Sequence, residues 1–254
     1  MKYCLDDDLD HYQAHGGLLE GRTILITGAG DGIGRELAKA CSRLGAASIL
    51  LSKTIRKLES VYDEIVAEDV AKEPAIYPLD LTGATVEDYQ AMAATLESEF
   101  GVLDGLINNA GWLASYVPFQ HYDMKLYHQV MMTNLHGPFM LTQALLPLLE
   151  KAPDPAVVFS THAHSVPYAG AFGIAKAGLE AMMDILAQEY DSEDSPIRFN
   201  AVDTGVVDTA MRRLNYPAED WSQNPAPADV IAPYLYFIGP ESSGITGVNY
   251  KVGS

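Results

Sequence analysis

The stretch ITGAGDGIGRELA, residues 26–38, restricts this chain more than any other. A short apolar run, TILITG (23–28), enters it, and a segment with helical periodicity leaves it. Glycines at 28, 32 and 34 let the backbone turn sharply and let strand and helix pack closely without a Cβ between them. The same strand-then-helix alternation continues along the chain. Further strands are expected at SILLS (48–52), AIYPLDL (75–81), LDGLINNAG (103–111), AVVFST (156–161), IRFNAVDTG (197–205) and GVNYKV (247–252). Between them lie helical patterns, among them one with an apolar face at Leu58, Val61, Ile65 and Val66, and long helices at about 122–150 and 171–190.

Alternation of this kind demands right-handed crossovers and a parallel sheet covered on both faces. The expected architecture is α/β, a Rossmann-type doubly wound sheet of about seven strands. We read one domain over 21–254, preceded by an extension at 1–20. The one long irregular stretch, VVDTAMRRLNYPAEDWSQNPAPAD (206–229), has the length of a lid, since long loops in compact domains are usually functional. Tyr216 and Trp221 within it are expected either to contact substrate or to pin the lid to the body.

The glycine turn also defines a chemistry. It opens a helix whose first N–H groups are unpaired and whose dipole is positive at that end, which is a place for a pyrophosphate. Charge excludes larger polyanions. With 34 acidic and 16 basic residues the net charge is -18, so nucleic acid and anionic membrane surfaces are repelled. No apolar run approaches the ~20 residues that span a bilayer. Cys4 and Cys41 make no disulfide framework, no metal site is evident, and a cytoplasmic location is expected.

The motif TGAGDGIG, together with NNAG (108–111), Asn134 in MTNLHGPF, Lys176 in GIAKAG and IRFNAVDTGVVDTAM, resembles the signatures of the short-chain dehydrogenase/reductase family. The likeness runs from about residue 20 to the end, and FMLTQALLPLL and the segment after residue 208 are most similar to its YciK-like branch. The resemblance implies a nicotinamide cofactor held by Gly28, Asp31, Gly32, Ile33 and Gly34. It implies Asp80 and Leu81 beside the adenine, Asn108 and Ala110 beside the ribose, and Gly205, Val207 and Thr209 along the far side, with Lys176 on the nicotinamide ribose. The second strand ends in Ser52, Lys53 and Thr54 without the carboxylate that usually binds a ribose 2′-hydroxyl. Lys53, with Arg56 as a second candidate, suits a 2′-phosphate, so NADP(H) is favoured over NAD(H); Asp31 speaks against it. Family members pair the helices at about 122–150 and 171–190 with symmetry mates, which implies a homodimer or homotetramer; Ala175, Leu179, Met182, Met183, Leu186 and Phe172 are consistent with that contact, and Met182 and Met183 are read as core or interface filler.

The expected catalytic set is incomplete. By resemblance a tyrosine delivers a proton to a carbonyl oxygen, a lysine four residues later tunes it, a serine holds the same oxygen, and an asparagine anchors a water chain. Asn134 and Lys176 are kept; the tyrosine position is Phe172. Alignment of the fifth strand puts His162 in the serine position, next to Thr161, whereas the common spacing from Phe172 lands on Phe159. A positioned general acid is worth ~10²–10⁴ in rate, so the ordinary mechanism is not open to this chain. His162, His164 and Tyr168 are the candidate replacements, His162 first, because imidazole can donate a proton near neutral pH. Two functions remain open: an oxidoreductase acting on a small-molecule carbonyl or alcohol through an altered acid, and a silent dinucleotide-binding homologue acting as sensor or scaffold.

Overall fold

The structure, a computed structural model, describes residues 8–163, 165–192 and 197–253. Every residue of β1 (Thr23–Thr27) is buried, as befits a strand covered on both faces. It pairs in parallel with β2 (Ala47–Ser52) on one side and β4 (Gly105–Asn108) on the other. With β3 (Ala75–Pro78), β5 (Ala156–Thr161), β6 (Arg198–Asp203) and β7 (Asn249–Lys251) these make a seven-stranded parallel sheet, ordered β3-β2-β1-β4-β5-β6-β7. The strands are shorter than the apolar runs because the residues past their carboxyl ends turn outward to build a site.

Period-two alternation divides the core. Ile24 and Ile26 of β1 pack with Leu37 of α1 (Gly32–Arg43), Leu58 of α2 (Ile55–Val66) and Phe237 of α8 (Ala232–Ile238). Leu25 faces the other way, toward a layer with Tyr89 of α3 (Val86–Phe100), Leu145 of α5 (Gly137–Leu149) and Met183 of α6 (Gly170–Glu189). Burial of a large aliphatic side chain contributes roughly 1.5–3 kcal/mol. The face expected on α2 is buried at Leu58, Val61 and Ile65, while Val66 is exposed at the helix end. Near the start of the described chain, Leu9, Leu18 and Leu19 enter the first layer, and Tyr250 donates to Asp10 at 3.1 Å. No helix among the described residues is long and apolar enough to cross a membrane. Cys41 is buried as a free thiol, and Cys4 lies outside the described residues.

Two expectations need correction. The helix expected over 122–150 is α4 (Met124–Met131), a π-helical turn (Met132–His136) and α5. Pro138 has no N–H for the i−4 carbonyl, which favours the wider turn at this point. The stretch 206–229 is not structureless: α7 (Ala210–Asn215) and two short 3₁₀ turns, Trp221–Gln223 and Pro227–Val230, lie within it. Of the α6 residues that suit either core or subunit contact, most pack inside the chain. Leu179, Met182 and Met183 are buried against β5 and β6, and Phe172 and Ala175 against α4. Phe139, Ile174 and Ile185 are the large apolar side chains that α5 and α6 leave exposed.

Candidate active site

A cavity of about 490 Å³ opens at the carboxyl ends of the strands. It lies where the chain leaves β1 toward β2 on one side and β4 on the other, the switch point at which doubly wound sheets bind ligands. Its floor is the glycine turn. Gly28 and Gly32 take φ of 70° and 51°, a region that favours glycine. A Cβ on Gly34 would stand 2.3 Å from the carbonyl oxygen of Gly28 and 2.6 Å from Asn109 Nδ2. Thr27 ties this turn to the next one: its Oγ1 accepts from the Asn109 and Ala110 N–H groups at 3.0 and 2.9 Å. Asn109 Nδ2 donates back to the Thr27 carbonyl at 3.0 Å.

Of the residues expected around a dinucleotide, Gly28, Asp31, Gly32, Ile33, Lys53, Asp80, Leu81, Ala110, Gly205, Val207 and Thr209 all line the cavity. Gly34 stands behind the floor, as its packing distances require. Asn108 is not brought to the cavity: it is 2% exposed and its Nδ2 donates to Thr142 Oγ1 at 3.0 Å, leaving Asn109 in the wall. Asn108 is the last residue of β4 and Asn109 the first past it, so the second is the one that turns toward the site.

Asp31 caps α1, its carboxylate accepting the Gly32 N–H at 2.8 Å. The second oxygen meets the ammonium of Lys57 from α2, a cavity residue that sequence reasoning missed. Burial pushes the Asp31 carboxyl up, yet the Lys57 ammonium and the Gly32 N–H outweigh it and hold it below the usual range. The charge that argues against a 2′-phosphate is therefore neutralised by a neighbour, and Lys53 and Lys57 frame that corner. The bare glycine floor, the N-terminal end of α1 and this basic corner fit a phosphorylated dinucleotide.

At the other end, Lys176 is buried on α6 and donates to the Ser160 carbonyl at 2.6 Å. Burial holds its ammonium down to about 8, with the charge of Asp203 pulling the other way. Asn134, fully buried in the π turn, donates through Nδ2 to the carbonyls of Trp112 and Val130 at 2.9 and 2.8 Å and accepts the Trp112 N–H at 3.0 Å. It does not line the cavity; a Cβ on Gly111 would lie 3.1 Å from its Oδ1 and 3.7 Å from Lys176 Nζ. Phe172 lines the cavity with its ring centroid 5.7 Å from Lys176 Nζ.

Parallel pairing of β5 and β6 sets Thr161 opposite Asp203, and the chain leaves β5 at His162 close to that carboxylate. Its Nδ1 is 3.6 Å from Asp203 Oδ1 and its ring lies edge-on to Phe172 at 6.1 Å. His162 lines the cavity; Tyr168, 61% exposed, does not, and His164 lies outside the described residues. Neither register supplies the serine: Phe159 is in the core, and the Thr161 hydroxyl donates to Asn249 Oδ1 at 3.0 Å. Ser160, one position earlier, accepts from the Tyr234 hydroxyl at 2.8 Å.

The remaining wall is mostly aromatic and apolar, from Trp112, Leu113, Tyr116, Met211, Leu214 and Tyr216, with the cation Arg212 among them. Burial and the Tyr216 phenol push the Tyr116 hydroxyl up to about 12. Arg212 lies 3.4 Å over the Tyr216 ring and makes paired 2.7 Å bonds to Glu219. Trp221 stays off the wall, where its Nε1 donates to the Tyr216 carbonyl at 2.9 Å and pins the segment.

A family profile for short chain dehydrogenase matches residues 22–220. The oxidoreductase YciK of Escherichia coli K12 is 37% identical over 243 residues, 94% of this chain and 95% of that protein. A short chain dehydrogenase from Shigella flexneri 2a, crystallised with NADP, superposes with a TM-score of 0.90 at 36% identity, covering 94% of this chain and all of that one (100%). One from E. coli CFT073, crystallised with NADPH, gives a TM-score of 0.90 at 37% identity over 95% of this chain and 100% of its own.

Proposed function

This chain belongs to the short chain dehydrogenase family, and from that premise we propose that it is an NADP(H)-dependent oxidoreductase interconverting a carbonyl and an alcohol, with His162 in the role of the absent phenol. The observation that carries this reading is the position of His162: an ionisable ring on the cavity wall, against Phe172 and beside the carboxylate of Asp203. The relatives crystallised with NADP and NADPH support the choice of nucleotide.

When bound, the nicotinamide supplies or accepts the hydride. The chain does the rest. The glycine floor and the N-terminus of α1 bind the pyrophosphate through backbone N–H groups. Lys53 and Lys57 meet the 2′-phosphate, and Lys176 holds the nicotinamide ribose. Asn134 fixes the 111–112 turn and keeps the wall beside Lys176 in place. His162 donates a proton to the carbonyl oxygen during reduction and takes it back during oxidation. The aromatic wall, with Tyr116 and Tyr216, excludes water and favours a substrate with an apolar body, while the 206–229 segment closes over it as a lid.

The exposed Phe139, Ile174 and Ile185 on α5 and α6 support a homodimer or homotetramer through those helices. The net charge and the buried Cys41, whose thiol is pushed up to about 12 by burial, suit a cytoplasmic setting.

A panel of carbonyl substrates assayed with NADPH, repeated on His162→Ala, tests the reading. Turnover by the native chain that falls ~10²-fold or more in the variant is expected; unchanged turnover removes the role of His162. Phe172 favours a second reading, a silent nucleotide-binding homologue, because it leaves no phenol beside Lys176. Micromolar NADP(H) binding with no turnover across the panel would select it.

A further inference from the structure

We infer that Asp203 is a positioning residue for His162, its carboxylate holding the Nδ1–H proton so that Nε2 is the atom that exchanges a proton with the substrate oxygen. The inference rests on the reading of His162 above and goes one residue beyond it.

Strand register fixes Asp203, and His162 is the first residue past the end of β5. Asp203 is the last residue of β6, opposite Thr161 of β5, and His162 follows Thr161 as the chain turns out of the sheet. Its backbone is fixed by the Val252 N–H bonded to its carbonyl at 2.9 Å. Its carboxylate is fixed too: Oδ1 accepts the Gly205 N–H at 2.9 Å and is the same oxygen that faces His162 Nδ1 at 3.6 Å. At 3.6 Å the pair is a charge contact rather than a hydrogen bond, and catalytic hydrogen bonds commonly tighten when ligand binds. Burial pushes the Asp203 carboxyl up, but His162, the Gly205 N–H and Lys251 together hold it below the usual range, so it is ionised at neutral pH. Lys176 on α6 and Tyr234 on α8 also feel its charge. With Nδ1 committed to Asp203, the other nitrogen is free to face the cavity.

The proton accounting closes. As the carbonyl carbon gains a hydride from the reduced nicotinamide, the π-bond pair moves to oxygen, which takes the Nε2 proton of the imidazolium. The ring is left neutral with its proton on Nδ1, against Asp203, and regains the other from solvent. The carboxylate stays ionised throughout, as in hydrolase triads where a buried aspartate orients a histidine.

The test is the tautomer of the free protein, which needs no turnover. The chain is labelled with ¹⁵N-histidine and its imidazole nitrogens are recorded about two pH units above the ordinary ~6.5 midpoint, with His162 assigned from its loss in His162→Gln. The expected result is an Nδ1–H ring in the native chain and an Nε2–H ring in Asp203→Asn. The expected kinetic companion is a kcat at least ~10²-fold lower in Asp203→Asn, within what a positioned acid supplies, at unchanged NADPH affinity. An Nε2–H ring in the native chain overturns the inference, and so does one tautomer shared by both proteins. If Asp203 were only a counter-ion for Lys176, the variant would lose nucleotide affinity and keep its tautomer. Should Asp203→Asn fail to fold, the native tautomer still decides. Full turnover in His162→Ala would remove the parent reading, whereas lost turnover in His162→Ala with a native Nε2–H ring would remove only the part given to Asp203.

Discussion

Lys176 points its ammonium at the carbonyl oxygen of Ser160, 2.6 Å away, from a helix packed on the very strand that carries that carbonyl. One backbone oxygen replaces little of the water that burial removes, so the ammonium is held down to about 8. Between about 8 and the ordinary value near 10.5 the unfolded chain binds a proton at this site that the folded chain does not. Stability tied to Lys176 therefore rises as pH climbs through that window. Urea unfolding of the native chain and Lys176→Met at pH 7 and pH 10 should show the variant's relative advantage shrinking at the higher pH. A difference independent of pH would contradict the burial account.

Nucleotide preference turns on the corner where Lys57 meets Asp31. Truncating Lys53 and Lys57 to Ala should weaken NADPH binding by about ten- to hundredfold, the worth of a charge-assisted hydrogen bond or two. NADH binding should change little. Asp31→Asn should strengthen NADPH binding, because it removes an anion and releases Lys57. Titration calorimetry with both nucleotides checks all three proteins.

Gly34 has no room for a methyl group. Its Cβ would fall 2.3 Å from the Gly28 carbonyl oxygen, a backbone atom that cannot yield without reshaping the floor. Gly34→Ala is expected to cost about 1–3 kcal/mol and to abolish detectable nucleotide binding, read by chemical denaturation and by calorimetry. Gly83, where an added methyl would meet nothing within 4 Å, is the control, and Gly83→Ala should leave binding intact.

Phe172→Tyr puts a phenol back on the cavity wall near Lys176, whose nitrogen is already 5.7 Å from the ring centre. Turnover should rise about tenfold or more, up to the ~10²–10⁴ that a positioned acid supplies. The gain should survive in the background of His162→Ala, since the new acid does not need the imidazole. No gain in either background would mean that the remodelled loop keeps substrate from this wall.

Much of the fold is readable in the chain because it is local. Gly28, Gly32 and Gly34 announce a turn that few other residues tolerate, and the alternation of apolar runs with helical periods determines sheet and layers. Apolar runs overstate the strand ends, since Leu79, Leu81 and Ala110 carry the same apolar character as the strands they follow yet turn out into the cavity. What escapes sequence reasoning is non-local. Lys57 reaches Asp31 across two elements, and Asp203 meets His162 only through the register of β5 against β6. The aspartate just before the Thr204–Gly205 turn is the one signal of it in the chain. Composition does not separate an α6 face that fills the chain's own core from one that faces a partner. Leu179, Met182 and Met183 thus suit core or interface equally and prove buried, while Ile174 and Ile185, which are exposed, pass unnoticed.

Direct titration of nucleotide into the purified chain, freed of carried-over ligand, tests the central claim that the cavity is a dinucleotide site. Calorimetry and thermal shift should report micromolar binding of NADP(H) and weaker binding of NAD(H), both lost in Gly34→Ala. No heat and no shift with either nucleotide at millimolar concentration would contradict the account.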